Sequence, residues 1–574
     1  MYNPCVTNVI EVRIVKTCQV SARAFVSQIR HETVYFRSKV PHKTWQVWFS
    51  SLDDIACITT YCCMIPRIYK ETNVNTNLEQ LKKRLAQVSD LATTSAVLSW
   101  DQQVNMPPGG NETRAHQLAT VEALTHNLFV ADETGQLLED GAAEIAGLPY
   151  ESDDASLVRI TRREYEKLRR VPESLVAERA RAFALAFEAW VQARAESNFA
   201  HFRPHMERVV DLSIQYAEAL GYEDCLYDAL LDRYEPEMTT AQVGQIFEEM
   251  KTGLIPLVQA IGERGHPVDD AVFNQEYPEK AQWDFGMLVL RDMGFDFTYG
   301  RQDRSAHPFT TGFSPHDVRI TTRILPDRFQ SALFGTVHEG GHALYEQGMR
   351  IEISRTPLFD GASFGIHESQ SRLWENIVAR SRDFWVHYFP KLREFFPQQL
   401  SWVDLDTFHR AINKVEPSLV RVEADEATYN LHIFLRFELE QELLEGRLAV
   451  ADLPQAWNAK MQDYLGVTPA NDAQGVLQDV HWADGYLGYF PTYALGNLLS
   501  VQFYNQALEE IPDLPEQIAR GQFSALLTWL RDNIHTHGRK FTPAELVQRV
   551  TGKEMSAAPF LAYLREKYAG IYGL

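Results

Sequence analysis

The sequence predicts a mainly α protein, one large helical body with a strand just before its most distinctive motif. Three observations lead there. Apolar residues recur at helical spacing from Leu78 almost to the C-terminus, the signature of helices that each bury one face. One segment, residues 316–324, breaks that rhythm and alternates with a period of two, as a half-buried strand does. No internal repeat and no Gly/Ser-rich linker divides residues 77–574, so they read as a single unit.

Composition narrows the class. The 574 residues are 45% hydrophobic and 23% charged, ordinary globular usage and not that of a disordered or low-complexity chain. The net charge of −22 argues against a nucleic-acid partner, because phosphate binding rests on clustered Lys and Arg. No run of about 18 apolar residues occurs, so no membrane span is expected. Five of the six cysteines lie in the first 63 residues and only Cys225 lies beyond. That is the usage of a reducing, cytoplasmic compartment, not of a disulfide framework.

The elements follow in order. Residues 1–76 carry nine Lys or Arg against five Asp or Glu, with strand-like fragments but no regular pattern. They are expected to be an atypical, poorly ordered N-terminal extension. Asn77 is expected to cap the first helix, with Gln80 three residues on and Leu78, Leu81, Leu85 and Val88 on its core face. Residues 180–196, 243–262 and 427–444 continue the helical pattern. In the predicted strand, Val318, Ile320, Thr322 and Ile324 form one face; Asp317, Arg319, Thr321 and Arg323 form the other. The following helix is expected to start at a cap from Asp327, to bury Phe329, Leu333, Val337 and Leu344, and to close at Gly348.

That helix carries His338-Glu-Gly-Gly-His342. Four residues make one turn, so His338 and His342 share a face and both imidazoles can bind one ion, while Glu339 beside them can take a proton from a metal-bound water. Two glycines inside a helix cost about 1 kcal/mol each relative to Ala, which implies that something approaches the backbone closely there. A zinc site needs a third protein ligand. Tyr345 and Gly348 do not fit the motif that places a third His further along the same helix. Glu368, opening a helical run expected over residues 369–386, is favoured over its neighbour His367, because two His and one Glu is the commoner set.

These residues resemble the carboxypeptidase Taq family of zinc metallocarboxypeptidases. The stretches that match in order are Asp317-Val-Arg-Ile-Thr-Thr-Arg323, His338-Glu-Gly-Gly-His342, His367-Glu-Ser-Gln370, Val420-Arg-Val-Glu-Ala-Asp425 and Gly475-Val-Leu-Gln-Asp-Val-His-Trp482. The similarity extends over roughly residues 77–574, and residues 1–76 are the departure from it. The resemblance implies a deep groove with a small sheet beside the active site, as in neurolysin-like peptidases. It implies removal of single residues from peptides with a free C-terminus, broad specificity, one Zn2+ per chain (Co2+ as a substitute), and a homodimer.

Roles for the remaining candidates follow from the resemblance. Glu339 would return its proton to the leaving amine, and His481, Tyr489 and Tyr493 are candidate donors to the oxyanion. Arg421 is the first candidate for the substrate carboxylate, since a guanidinium fork pairs with two oxygens; its ordinary alternative is an intrahelical pair with Asp425. Arg319 and Arg323 are further candidates, with Asp317 as their structural partner. Three other readings compete: an endo-oligopeptidase or a dipeptidyl carboxypeptidase on the same scaffold, and a non-catalytic zinc-stabilised binding protein. Glu339 speaks against the last, because a structural site has no use for a base. No aminopeptidase motif of the Gly-Ala-Met-Glu-Asn type is present.

Overall fold

The structure, a computed structural model, describes residues 76–574 and one short antiparallel pair, Tyr35–Arg37 with Thr44–Gln46. The chain divides into units Met1–Asn75 and Thr76–Leu574. The expected poor order of residues 1–76 falls, except for Thr76 and that pair, outside the described residues.

The second unit is helical with one three-stranded sheet, as expected. Its first helix, Asn77–Val104, is capped one residue earlier than expected: the Thr76 hydroxyl accepts from the backbone N–H of Glu79 at 3.2 Å. Thr precedes the helix with extended backbone, the geometry a cap needs. Glu144 accepts from the N–H groups of Asn77 and Leu78, closing two more of the free donors at that end. Among the described residues no helix is long and apolar enough to cross a membrane.

The predicted strand is the centre of the sheet. Asp317–Thr322 runs parallel to Gly300–Arg304 and antiparallel to Thr310–Ser314. Val318 and Ile320 are buried as expected. The alternation fails after them, because Thr321 is buried too: its hydroxyl reaches Ser305 and the N–H of Phe309, so the polar side chain is satisfied inside. Arg323 lies past the strand end and is exposed, so it does not share a strand face with Arg319.

The motif helix spans Phe329–Gly348 and buries Phe329, Leu333, Val337 and Leu344. Arg328, which makes no side-chain capping bond, occupies its cap position instead of Asp327. The next helix, Phe364–Arg372, starts at a Ser363 cap, before Glu368 rather than at it. It widens into a π turn over Leu373–Val378 and stops, and Ser381 caps a separate helix, Arg382–Phe395. The expected run over residues 369–386 is therefore two helices.

Small residues let these elements touch. A β-carbon built at Gly341 would stand 2.7 Å from Cα of Ser371 and 2.8 Å from the Gln370 carbonyl oxygen. One at Gly496, on the Pro491–Glu510 helix, would stand 2.5 Å from Cγ of Glu368. The Phe364–Arg372 helix is thus clasped between two helices at their glycines. A further anchor is Glu440, fully buried on the Tyr429–Leu444 helix. Its carboxylate accepts from Tyr227 (2.7 Å), Trp482 Nε1 (2.7 Å) and the Gly488 N–H (3.0 Å). That holds the irregular segment carrying His481 and Tyr489 against the helix. Burial pushes the Glu440 carboxyl up to about 7, against the three donors that oppose it.

Two outcomes are expected. Gly341→Ala should destabilise the protein by about 1–3 kcal/mol, the cost of forcing extra volume into a packed contact. Gly335→Ala, on the same helix with only ordinary contact to Pro308 at 3.7 Å, should be neutral or gain up to about 1 kcal/mol. Urea unfolding of both variants decides. For Glu440, a raised folded pKa means the native state holds the proton more tightly than the unfolded chain. Its stabilising contribution is complete below about 4.5 and is lost as pH rises through about 7. Between pH 4.5 and 8, Glu440→Gln should therefore gain up to about 3 kcal/mol relative to the parent; parallel unfolding curves would refute this.

Candidate metal centre and active site

His338, His342 and Glu368 come together as the sequence predicts. One donor atom from each lies within 4.8 Å of the others, and this is the trio among the described residues that could hold a metal ion. Nε2 of His342 is 3.3 Å and Nε2 of His338 is 3.6 Å from Oε2 of Glu368. A tetrahedral ion with bonds of about 2.0–2.1 Å has donor–donor edges of about 3.3 Å, so two imidazoles and a carboxylate at this spacing fit zinc.

The other atoms of the three side chains are tied back. Nδ1 of His338 lies 2.9 Å from Oε2 of Glu375, which sits on the π turn. Nδ1 of His342 lies 2.6 Å from Nδ1 of His367, whose Nε2 in turn meets Glu346 at 2.9 Å. Both nitrogens of His367 are thus engaged behind His342, whereas Glu368 faces the two Nε2 atoms. Arg372 donates to Oε1 of Glu368 at 2.6 Å, and the Ser371 hydroxyl to Oε2 at 3.1 Å.

These contacts set the protonation states. Burial alone would raise Glu368, but Arg372 and the two imidazoles outweigh it and hold the carboxyl well below its ordinary range. Glu375 is likewise held down, to about 2, by Arg372 and His338 in spite of burial. Burial lowers His342 to about 3, leaving a neutral imidazole, the form that binds metal. His338 is raised, because Glu368 and Glu375 overcome its burial. Glu339 is pushed up by burial, against His338 and the Thr310 hydroxyl, which donates to its Oε2 at 2.7 Å. A carboxylate tuned upward and fixed at one oxygen is suited to general-base work.

His481, Tyr489 and Tyr493 also converge. The His481 ring stacks on Tyr489 with centroids 5.5 Å apart, and its Nε2 lies 3.3 Å from the Tyr493 hydroxyl. Burial lowers His481 to about 4, so its imidazole is neutral.

The arginines behave differently from one another. Arg421 lies in a short 3-10 turn, not a helix, and is buried. It does not pair with Asp425. Its Nη2 and Nε meet Asp479 Oδ1 at 2.7 and 3.2 Å, and Nη1 donates to the Tyr429 hydroxyl at 2.7 Å. Asp425 instead accepts from the N–H groups of Ala427 and Thr428, in the turn that leads into the Tyr429–Leu444 helix. Arg436 shares Asp479 from the other side, Nε to Oδ2 at 2.7 Å. Arg319 pairs with Asp317 through two bonds of 2.9 Å, its guanidinium set against Trp100 and Phe313.

Sequence reasoning missed Thr310, Glu375, Arg372 and Arg436. Arg372 was findable: it follows Glu368 by four residues, the spacing of a helical ion pair. Glu375 follows Arg372 by three residues, again a helical spacing, but it reaches His338 only through the fold, as Thr310 reaches Glu339 and Arg436 reaches Asp479.

The sequence model of the carboxypeptidase Taq (M32) metallopeptidase family matches residues 80–568. Thermostable carboxypeptidase 1 of Thermus thermophilus is 46% identical, over 84% of this chain and 96% of that protein. Carboxypeptidase 1 of Bacillus subtilis is 38% identical, over 85% and 97%. The crystal structure of the M32 carboxypeptidase from Deinococcus radiodurans superposes with a TM-score of 0.84 at 42% identity, covering 87% of this chain and all of that one. With its helical body, its small sheet and the motifs in order, the chain belongs to the carboxypeptidase Taq (M32) metallopeptidase family, a family of peptide hydrolases.

Proposed function

We propose that this protein is a zinc-dependent carboxypeptidase that removes single residues from peptide C-termini with broad specificity. The observation that carries the reading is the convergence of His338, His342 and Glu368 with Glu339 on the next helical position. When bound there, zinc would supply Lewis acidity and lower the pKa of a bound water.

The chain's own groups supply the rest. Glu339 takes a proton from the attacking water on Oε1, since Oε2 is held by Thr310, and returns it to the leaving amine. With its proton on Nε2, neutral His481 donates to the Tyr493 oxygen and leaves the Tyr493 hydrogen free for the oxyanion; Tyr489 offers a second hydroxyl. Arg421, Arg436 and Asp479 together carry one net positive charge beside neutral His481 and His432. One substrate carboxylate would balance it, with Arg421 as its partner and Asp479 fixing the guanidinium plane. Arg319 and Arg323 remain secondary candidates for the groove wall. The family likeness supports a homodimer. Cys225, the free cysteine of the described residues, is in keeping with a reducing cytoplasm.

Glu339→Gln should keep one zinc per chain and lose about 10²–10⁴ in kcat; normal hydrolysis by that variant would overturn the base assignment. Chelation should abolish turnover, with Zn2+ or Co2+ restoring it. Mass spectrometry of a peptide with a free C-terminus should show stepwise loss of single residues, and its amidated twin should resist. Dipeptide or internal products would instead indicate a dipeptidyl carboxypeptidase or an endo-oligopeptidase.

A further inference from the structure

Beside the converging side chains lies an aromatic surface of which the mechanism above uses only the Tyr489 hydroxyl. Phe364 opens the helix that carries Glu368, four residues ahead of it and so on the same face. It is 48% exposed. Tyr486, in the segment between His481 and Tyr489, is 44% exposed. Between them lies a floor of two further rings. Tyr234, buried, sits 5.5 Å from Phe364, 6.5 Å from Tyr486 and 5.2 Å from Tyr489, centroid to centroid. Tyr489 lies 5.6 Å from Phe364 and 5.7 Å from Tyr486, and stacks on His481. Three segments remote in sequence thus make one continuous aromatic surface with two open rims.

The surface is held in place. The Phe364 N–H donates to the Tyr234 carbonyl at 3.0 Å, and the Gly365 N–H donates to Glu235 Oε1 at 2.5 Å. Glu440 secures the Tyr486 side through Trp482 and Gly488. Phe364 and Tyr486 are left half in water on a rigid support, and covering such a ring is worth about 1.5–3 kcal/mol to whatever ligand does so.

We propose that Phe364 and Tyr486, over Tyr234 and Tyr489, form a subsite for a bulky apolar side chain, aromatic or branched aliphatic, of the peptide substrate. Continuity fixes the occupant: the surface joins Glu368 through one helical turn and His481 through a ring stack, so a side chain of the peptide under attack meets it. Phe364, Tyr234 and Tyr489 meet edge to face and Tyr486 tilts against the two tyrosines, so the surface presents both faces and edges, which suits another aromatic ring. The proposal rests on the peptidase reading above and adds a preference to its broad specificity.

The test is a set of peptides carrying Ala, Leu or Phe at each of the last three positions, with kcat/KM read by product mass for the parent, Phe364→Ala and Tyr486→Ala. The parent should favour Phe and Leu over Ala at one position by about tenfold or more, and both variants should collapse that ratio at the same position. Phe364→Leu should retain most of it. A parent with no apolar preference overturns the proposal, as do variants that lose rate equally on all peptides. If Phe364→Ala loses zinc or its helical circular dichroism, Tyr486→Ala, on a separate segment, decides. Failure of the carboxypeptidase reading is separable, because it changes the product masses of the parent whatever the selectivity ratios do.

Discussion

The contact between Gly341 and the backbone of Ser371 is the constraint on which the rest of the site depends. A metal trio needs donors from two elements brought within a few ångströms, and helices that meet through ordinary side chains stand 8–10 Å apart. Without a β-carbon at Gly341 the Phe364–Arg372 helix lies directly on the motif helix, and Gly496 leaves room for the Glu368 stem on its other side. Glu368 therefore faces the two Nε2 atoms along a short path and has little freedom to turn elsewhere. The helix propensity given up at two interior glycines, about 1 kcal/mol each, is offset by a geometry that no longer side chain could reach.

Close packing alone would not suffice, because it takes several charges out of water. Glu368, Glu375 and Glu339 are buried around two imidazoles. Arg372 answers both Glu368 and Glu375, and Arg380 approaches Glu375 from the far side at 3.4 Å. A buried ion pair gives little net stability but resists displacement, since removing one partner strands the other at a cost of about 3–5 kcal/mol. The network is thus better understood as fixing orientation than as stabilising the fold. It keeps Glu368 and Glu375 charged while leaving Glu339, which lacks an arginine among its closest partners, as the carboxyl that burial raises. Two roles for chemically identical groups are separated by which of them the arginines reach.

What the sequence revealed was whatever a fixed chain spacing can encode. His338, Glu339 and His342 are set by one helical turn, and the central strand by alternation through Ile320. Glu368 was legible by its motif and by the donor set zinc prefers. The failures share a physical origin. Thr321 broke the alternation because a hydroxyl can be buried once it has partners, and those came from Ser305 and Phe309. Helical spacing pairs Arg421 with Asp425, four residues on. The chain is not helical there, and the partner, Asp479, is 58 residues away. Thr310 meets Glu339, and Glu375 meets His338, across the gap between sheet, helix and π turn, and local pattern contains no trace of those two contacts.

The two charged centres of the site differ in the sign they present. Around the motif helix, carboxylates gather where a cation would be held. Around Asp479, two arginines against one aspartate leave an excess of positive charge, and the neighbouring imidazoles of His432 and His481 are kept neutral by burial and so do not add to it. Between these centres stand the rings of Tyr493 and Tyr429, which touch both: Arg421 lies 5.0 Å from the Tyr493 centroid and Arg372 lies 4.6 Å from that of Tyr429. A peptide end carries its own charge on one terminal group, one residue beyond its last amide. Under the proposed function, that spacing lets the positive centre select the free carboxylate while the last amide rests at the trio. An amidated or internal segment would leave the arginine charge in a low-dielectric pocket without its partner. Selectivity for the C-terminus then comes less from the attraction offered to the right substrate than from the penalty imposed on the wrong one.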